Sequence, residues 1–217
     1  MRRACRCTLV ALALFALGLA AAAALYPGGS WSDRGSAGFS LWRNFWCDLL
    51  RSQAINGADN AASQRLSGLA FATLAAALWC YWRPASALAS NGAQPRRVLW
   101  LGRASALALL LMVLLPSDAH PVLHGAIALA GAGLGIGCAA ACIAQRAPAE
   151  RRWSARRVSG AAALLFGAAN AGWYIYVAYL GGPETAVQPV LQKLATLALL
   201  VWMLSTLRRA GGPFSAV

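Results

Sequence analysis

Residues 121–144 read PVLHGAIALAGAGLGIGCAAACIA, a stretch without one aspartate, glutamate, lysine or arginine. A helix of about 20 apolar residues crosses the hydrocarbon core of a bilayer, which is roughly 30 Å thick. This stretch is therefore long enough and apolar enough to cross a membrane once. It is one of six such stretches, which together decide the fold.

The composition of the whole chain points the same way. The 217 residues are 59% hydrophobic and 12% charged, and the mean hydropathy is +0.56. Soluble domains carry about 25% charged residues, so this chain lacks roughly half of the charges that a water-facing surface needs. A lipid-facing surface accounts for the difference, and the composition argues against an ordinary soluble enzyme or binding domain.

The apolar stretches predict the architecture. The predicted spans are residues 8–25, 63–82, 98–115, 121–144, 158–180 and 187–207. No soluble domain, domain linker or internal repeat separates them. We predict an all-α fold in which residues 1–217 form a single polytopic transmembrane six-helix bundle.

The basic residues set the expected orientation. There are 19 basic and six acidic residues, for a net charge of +13. The two termini and the second and fourth connections hold 13 basic residues, the first connection holds three, and the third and fifth hold none. Because positive charge collects on the cytoplasmic side, both termini are expected there. The short arginine clusters between spans exclude nucleic acid as a partner.

The expected location is the inner (plasma) membrane of a bacterium, with several passes, since the Arg- and Ala-rich composition is typical of a high-GC bacterial genome. The first span leaves one alternative open. Arg2, Arg3 and Arg6 before an apolar run that ends in small residues also resemble a secretory signal peptide. The run of about 18 residues exceeds the usual 7–15 of such a peptide, which favours a retained helix.

The first outer loop, residues 26–62, is the longest connection. Residues 26–29, YPGG, predict a turn, and residues 56–60, NGADN, predict a second one. Between them, residues 39–50 read FSLWRNFWCDLL and place apolar side chains on one face of a helix. We therefore predict an amphipathic interfacial helix in this loop.

Polar and ionisable side chains inside a membrane protein are costly to bury, so they are candidates for function. We expect one outward-facing polar pocket that binds a lipid headgroup or a small ligand. Lys193, the only lysine, either pairs with an outer-side acid such as Asp48 or Asp118 or extends its ammonium group to the interface. The predicted ligand-binding residues are Asp48, His120, His124 and Lys193, with Arg43, Asn44 and Gln192 at the margin.

An alternative is a membrane-embedded, metal-dependent lipid hydrolase resembling the ceramidase-like superfamily. His120 and His124 are four residues apart, and with Asp118 they form a candidate zinc site. Against this, His120 precedes Pro121, the chain has only two histidines, and capping or headgroup contact also explains both. The favoured hypothesis requires no cofactor. Phosphate-binding loops, dinucleotide fingerprints and nucleophile elbows are absent from the sequence.

Small residues in the fourth span predict close helix packing. Gly131 and Gly135 form a small-xxx-small pair that lets a partner helix approach. The six cysteines do not predict a disulfide framework, because only Cys47 is expected on the outer side.

Several short motifs together resemble the DUF998 family of six-span bacterial membrane proteins, which is similar in plan to the Frag1/DRAM/Sfk1 group. They are YPGG at 26–29, NFWCDL at 44–49, the proline-bounded His124 and the Gln192-Lys193 pair. Cys47 before Asp48 and two leucines after it depart from the small residue and glycine that often flank this aspartate. The resemblance implies a six-helix bundle with a polar outer-facing centre and no established biochemical activity.

Overall fold

The structure, a computed structural model, describes residues 1–88, 95–144 and 154–211. These residues form six long helices that coincide closely with the six predicted apolar stretches. The helices are α1 (Arg2–Ala24), α2 (Ala61–Leu88), α3 (Pro95–Leu114), α4 (Pro121–Ala144), α5 (Ala155–Leu180) and α6 (Val187–Arg209).

Five of these helices, α1 and α3 to α6, are long and apolar enough to cross a membrane. The α2 helix falls outside that group, and its sequence is interrupted by Gln64, Arg65 and Arg83. The chain is thus a helical bundle of the kind expected for a multi-pass membrane protein.

Consecutive helices run in opposite directions, so both termini lie at one end of the bundle. At that end the start of α5 meets the end of α6, where the Ser159 and Ser205 hydroxyls lie 3.2 Å apart. The end of α2 meets the same part of α6, where the Tyr81 hydroxyl donates to Thr206 Oγ1 at 3.3 Å. We call this the arginine-rich end and the opposite one the loop end. Arg146, Arg151 and Arg152, which were counted in the orientation argument, lie outside the described residues.

The helices pack in an unequal way. The α2 helix packs against α1 and α3, and α5 pairs with α6, whereas α4 packs closely on α3 and only lightly on α5. Tyr81, Trp82 and Trp202 form an aromatic cluster with ring centroids 5.4–6.2 Å apart. The light α4–α5 contact leaves room for a cavity at the loop end.

The glycine pair of the fourth span lies against α3. A Cβ added at Gly131 would be 2.8 Å from the Cβ of Ala108, and one at Gly135 would be 3.7 Å from Ser105 Oγ. The helix that approaches this pair is therefore a neighbour in the same chain.

The first outer loop differs from its prediction at the glycine end of the YPGG motif. Gly28–Ser30 form a strand, β1, that pairs antiparallel with β2, Asp33–Ala37. Gly28 and Gly29 have positive φ, and a Cβ at Gly28 would lie 2.4 Å from the Ser36 carbonyl oxygen. The turn expected at 26–29 is therefore the entry to a small hairpin, and the fold is not purely helical.

The amphipathic helix expected over residues 39–50 does not form as a continuous helix. Only Trp46–Leu50 are helical, as a single short 3-10 segment. The reason is that two backbone groups bond elsewhere: Phe45 N donates to the Asp48 carboxylate at 2.8 Å and Trp46 N donates to Gln192 Oε1 at 2.7 Å. These amides cannot donate to carbonyls one turn earlier, so the helical ladder is broken.

Hydrogen bonds tie this loop down over the loop end of the bundle. Trp46 Nε1 donates to Thr196 Oγ1 of α6 at 3.2 Å, and the Ser67 hydroxyl of α2 donates to the Leu49 carbonyl at 2.8 Å. The Asp118 carboxylate, between α3 and α4, accepts from the Ser52 hydroxyl at 2.5 Å. The loop therefore forms a cap held by three different parts of the bundle.

Candidate functional site

A cavity of about 580 Å³ opens at the loop end, beneath the cap. Its walls come from the cap, α4, α5 and the start of α6. Charged and polar side chains gather near the cap, whereas the parts of α4 and α5 that face the cavity are mostly small and apolar. The apolar lining includes Gly125, Ala128, Leu129, Ala132, Ala171 and Ala178.

Asp48 is the buried acid of this cavity. Its side chain is only 3% exposed, and it accepts three hydrogen bonds, from Trp31 Nε1 at 3.3 Å, Asn44 Nδ2 at 3.0 Å and Phe45 N at 2.8 Å. Burial raises the pKa of the Asp48 carboxyl, and these donors oppose the increase. Asp48 is thus held rigidly by the loop around it.

The expected ion pair between Asp48 and Lys193 is not present among the described residues, in which the one ion pair joins Arg43 and Asp33 at 3.5 Å. Lys193 Nζ instead donates to the backbone carbonyl of Asn44 and lies 4.5 Å from the centre of the Trp46 ring. The side chain of the same Asn44 donates to Asp48. Neither Lys193 nor Asn44 lines the cavity; both hold the residues that do.

His124 lines the cavity with one ring nitrogen occupied. Its Nδ1 lies 2.7 Å from the Leu115 carbonyl oxygen, and its Nε2 is enclosed without a partner among the described residues. Because a carbonyl only accepts, Nδ1 carries the proton and Nε2 is an unused acceptor in the neutral ring. His120 is exposed and does not line the cavity, since it precedes Pro121 and lies outside α4.

The α5 wall supplies two further polar groups. Asn170 Oδ1 is enclosed without a hydrogen-bond partner in the described part of the chain, and Tyr174 lies one turn further along. The Tyr174 hydroxyl reaches α4 so closely that a Cβ on Gly125 would lie 2.0 Å from it. Tyr174 therefore bridges the lightly packed α4–α5 contact.

The candidate zinc residues are used in other ways. Asp118 accepts from the hydroxyl and backbone N of Ser52 and from Gln53 N, and these bonds lower the pKa of its carboxyl against the opposing effect of burial. Within residues 1–88, 95–144 and 154–211, no group of three or more His, Cys, Asp or Glu side chains could hold a metal ion.

Of the predicted margin residues, Arg43 and Gln192 line the cavity. The charged and polar lining residues that were not predicted include Trp31, Arg51, Glu184 and Gln188. They come from the cap, from the connection between α5 and α6 and from the first turn of α6, and no local spacing relates them to His124. Their convergence depends on how the cap folds onto α6, which the sequence pattern does not encode.

Comparisons of the chain with protein-family models, with curated proteins and with solved structures give no match.

Proposed function

We propose that this protein binds a membrane lipid in the cavity, with the polar headgroup at the cap and an acyl chain along α4 and α5. The observation that supports this is the division of the cavity lining into a polar and an apolar part. The volume of about 580 Å³ lies within the range of roughly 300–1,000 Å³ found for small-molecule sites.

The polar part of the cavity offers groups of both signs to a headgroup. Arg43 and Arg51 are cationic, Asp48 and Glu184 are acidic, and His124 Nε2 is an unused acceptor. A zwitterionic or hydroxyl-bearing headgroup, or a small polar ligand of the same kind, would satisfy such a mixed set. The apolar lining of Ala128, Ala132 and Ala171 suits a hydrocarbon chain.

The membrane arrangement is part of the same proposal. We propose six spans, with α2 as the sixth, both termini in the cytoplasm and the cavity facing outward from a bacterial inner membrane. The 28 residues of α2 extend about 42 Å, which is enough to cross a core of roughly 30 Å. The relationship to the DUF998 family stays a prediction of the sequence motifs.

Lipid extraction from the purified protein tests the binding site. Wild-type protein in mild detergent is expected to retain one lipid species, or one polar metabolite, at about one equivalent per chain. Ala128→Trp places an indole in the cavity and is expected to remove that ligand. Ala130→Trp is the matched control, because Ala130 lies on the same helix, is exposed and does not line the cavity.

The result that contradicts the proposal is equal ligand content in both variants, or no stoichiometric ligand in wild-type protein. Elemental analysis of the same samples addresses the hydrolase hypothesis. Stoichiometric zinc that is lost in His120→Ala and His124→Ala would favour the metal-dependent hydrolase instead.

A further inference from the structure

At the other end of the bundle, Arg103 lies between two tryptophan rings. Its guanidinium carbon is 4.7 Å from the centre of the Trp79 ring on α2 and 5.2 Å from that of Trp100, one turn earlier on α3. Both distances are within the range of about 6 Å for a cation–π contact. The two rings hold the guanidinium group along the α2–α3 surface.

Arg103 has no anionic partner in the described part of the protein. It makes no hydrogen bond or ion pair there, and its Nε is enclosed without an acceptor. The five described acids, Asp33, Asp48, Asp59, Asp118 and Glu184, lie in the connections at the loop end. An unpaired cation and an unused N–H group are costly in a membrane protein, so an acceptor from outside the chain would stabilise Arg103.

The surroundings of Arg103 identify where that acceptor comes from. The rings of Trp79 and Trp100 are 36% and 54% exposed on the outside of the bundle. Arg103 lies eight residues after the start of α3 at Pro95, which corresponds to about 12 Å. Tryptophan favours the headgroup level of a bilayer, so the group faces the boundary between headgroups and acyl chains.

We propose that Arg103, Trp79 and Trp100 form a binding site for the phosphate of an anionic phospholipid in the leaflet at the arginine-rich end. A guanidinium group donates two parallel N–H bonds to phosphate oxygens, and indole rings pack on the glycerol and upper acyl region. Arg83, Arg96 and Arg97 are exposed at the same end and favour an anionic over a zwitterionic headgroup. This site is independent of the cavity.

Native mass spectrometry of the full-length protein, titrated with phosphatidylglycerol or phosphatidylcholine, tests the site. Wild-type protein is expected to bind phosphatidylglycerol more tightly than phosphatidylcholine. Arg103→Gln is expected to weaken phosphatidylglycerol binding about tenfold, since the lost bonds involve a charged group. Its affinity for phosphatidylcholine, which carries the same phosphodiester but no net charge, is expected to fall by a smaller factor.

Arg97→Gln is the matched control, because it removes the same charge from an exposed position on the same helix. Its effect is expected to be clearly smaller than that of Arg103→Gln. Trp100→Leu, which keeps every charge, is expected to weaken phosphatidylglycerol binding as well, and unchanged melting temperatures will show that the variants fold. Equal effects of the two arginine variants, no effect of Arg103→Gln, or competition by millimolar inorganic phosphate would each overturn the proposal.

Discussion

Asn44 connects two charged side chains that form no ion pair with each other. Its carbonyl accepts from Lys193 and its side chain donates to Asp48. Lys193→Met and Asp48→Asn should therefore each destabilise the protein, and the double variant should be less destabilised than the sum, by about 0.5–3 kcal/mol. Thermal or denaturant unfolding in detergent measures this.

The control for this cycle is Lys193→Met combined with Thr206→Val. Thr206 is buried at the far end of α6 and bonds to Tyr81, so it shares no partner with Lys193. These two substitutions should add within about 0.5 kcal/mol. Additivity in the Asp48 cycle would show that Asn44 does not transmit the effect.

The stability of the cap depends on pH through the Asp118 carboxyl. Hydrogen bonds from Ser52 and Gln53 outweigh the effect of burial and hold the pKa of this carboxyl below its ordinary value of 3.8. The stabilisation is therefore present above about pH 4 and is lost as the pH falls through the folded-state pKa. Asp118→Asn should lower the melting temperature at pH 7 and have a smaller effect near pH 3. A difference that is the same at both values would contradict this, and the exposed Asp59→Asn is the control.

At the scale of helices, Gly102 sets the distance between α2 and α3. A Cβ at this position would lie 2.2–2.6 Å from atoms of the Trp82 ring, which is fixed in the aromatic cluster. Gly102→Ala should therefore destabilise the protein by about 1–3 kcal/mol. Gly133→Ala should be neutral or slightly stabilising, because its Cβ would meet nothing within 4 Å and alanine favours a helix. The melting temperatures of the two variants test this difference. Equal changes in melting temperature would contradict the close packing of Gly102 on Trp82.

The helices were predictable from the sequence because a long run of apolar residues is a property of the local sequence alone. Pro121 and Ala144 bound α4 as predicted, and the charge-free run between them needed no tertiary information. The 3-10 segment of the cap was not predictable, because the amide of Trp46 bonds to Gln192 on a distant helix. The i, i+4 spacing of His120 and His124 does not place both residues on the helix, because Pro121 starts the helix and His120 lies outside it.

For the whole molecule, the placement of both termini at the arginine-rich end predicts a result for reporter fusions. If that end is cytoplasmic, fluorescent-protein fusions at the C-terminus should fluoresce and alkaline-phosphatase fusions there should be inactive. An alkaline-phosphatase fusion in the connection between α5 and α6 should be active. The reverse pattern would contradict the orientation.

The attachment of the cap to α6 also has a consequence for biosynthesis. Trp46 bonds to a residue 146 positions later in the chain, so the cap cannot close until the last helix has left the ribosome. At about 5–20 residues per second, this delay is on the order of ten seconds. During that interval Asp48, which is buried in the finished protein, is open to water, and the loop around it is open to proteases on its side of the membrane. A nascent chain stalled before α6 is therefore expected to be cut within residues 26–60, at sites that the finished protein shields.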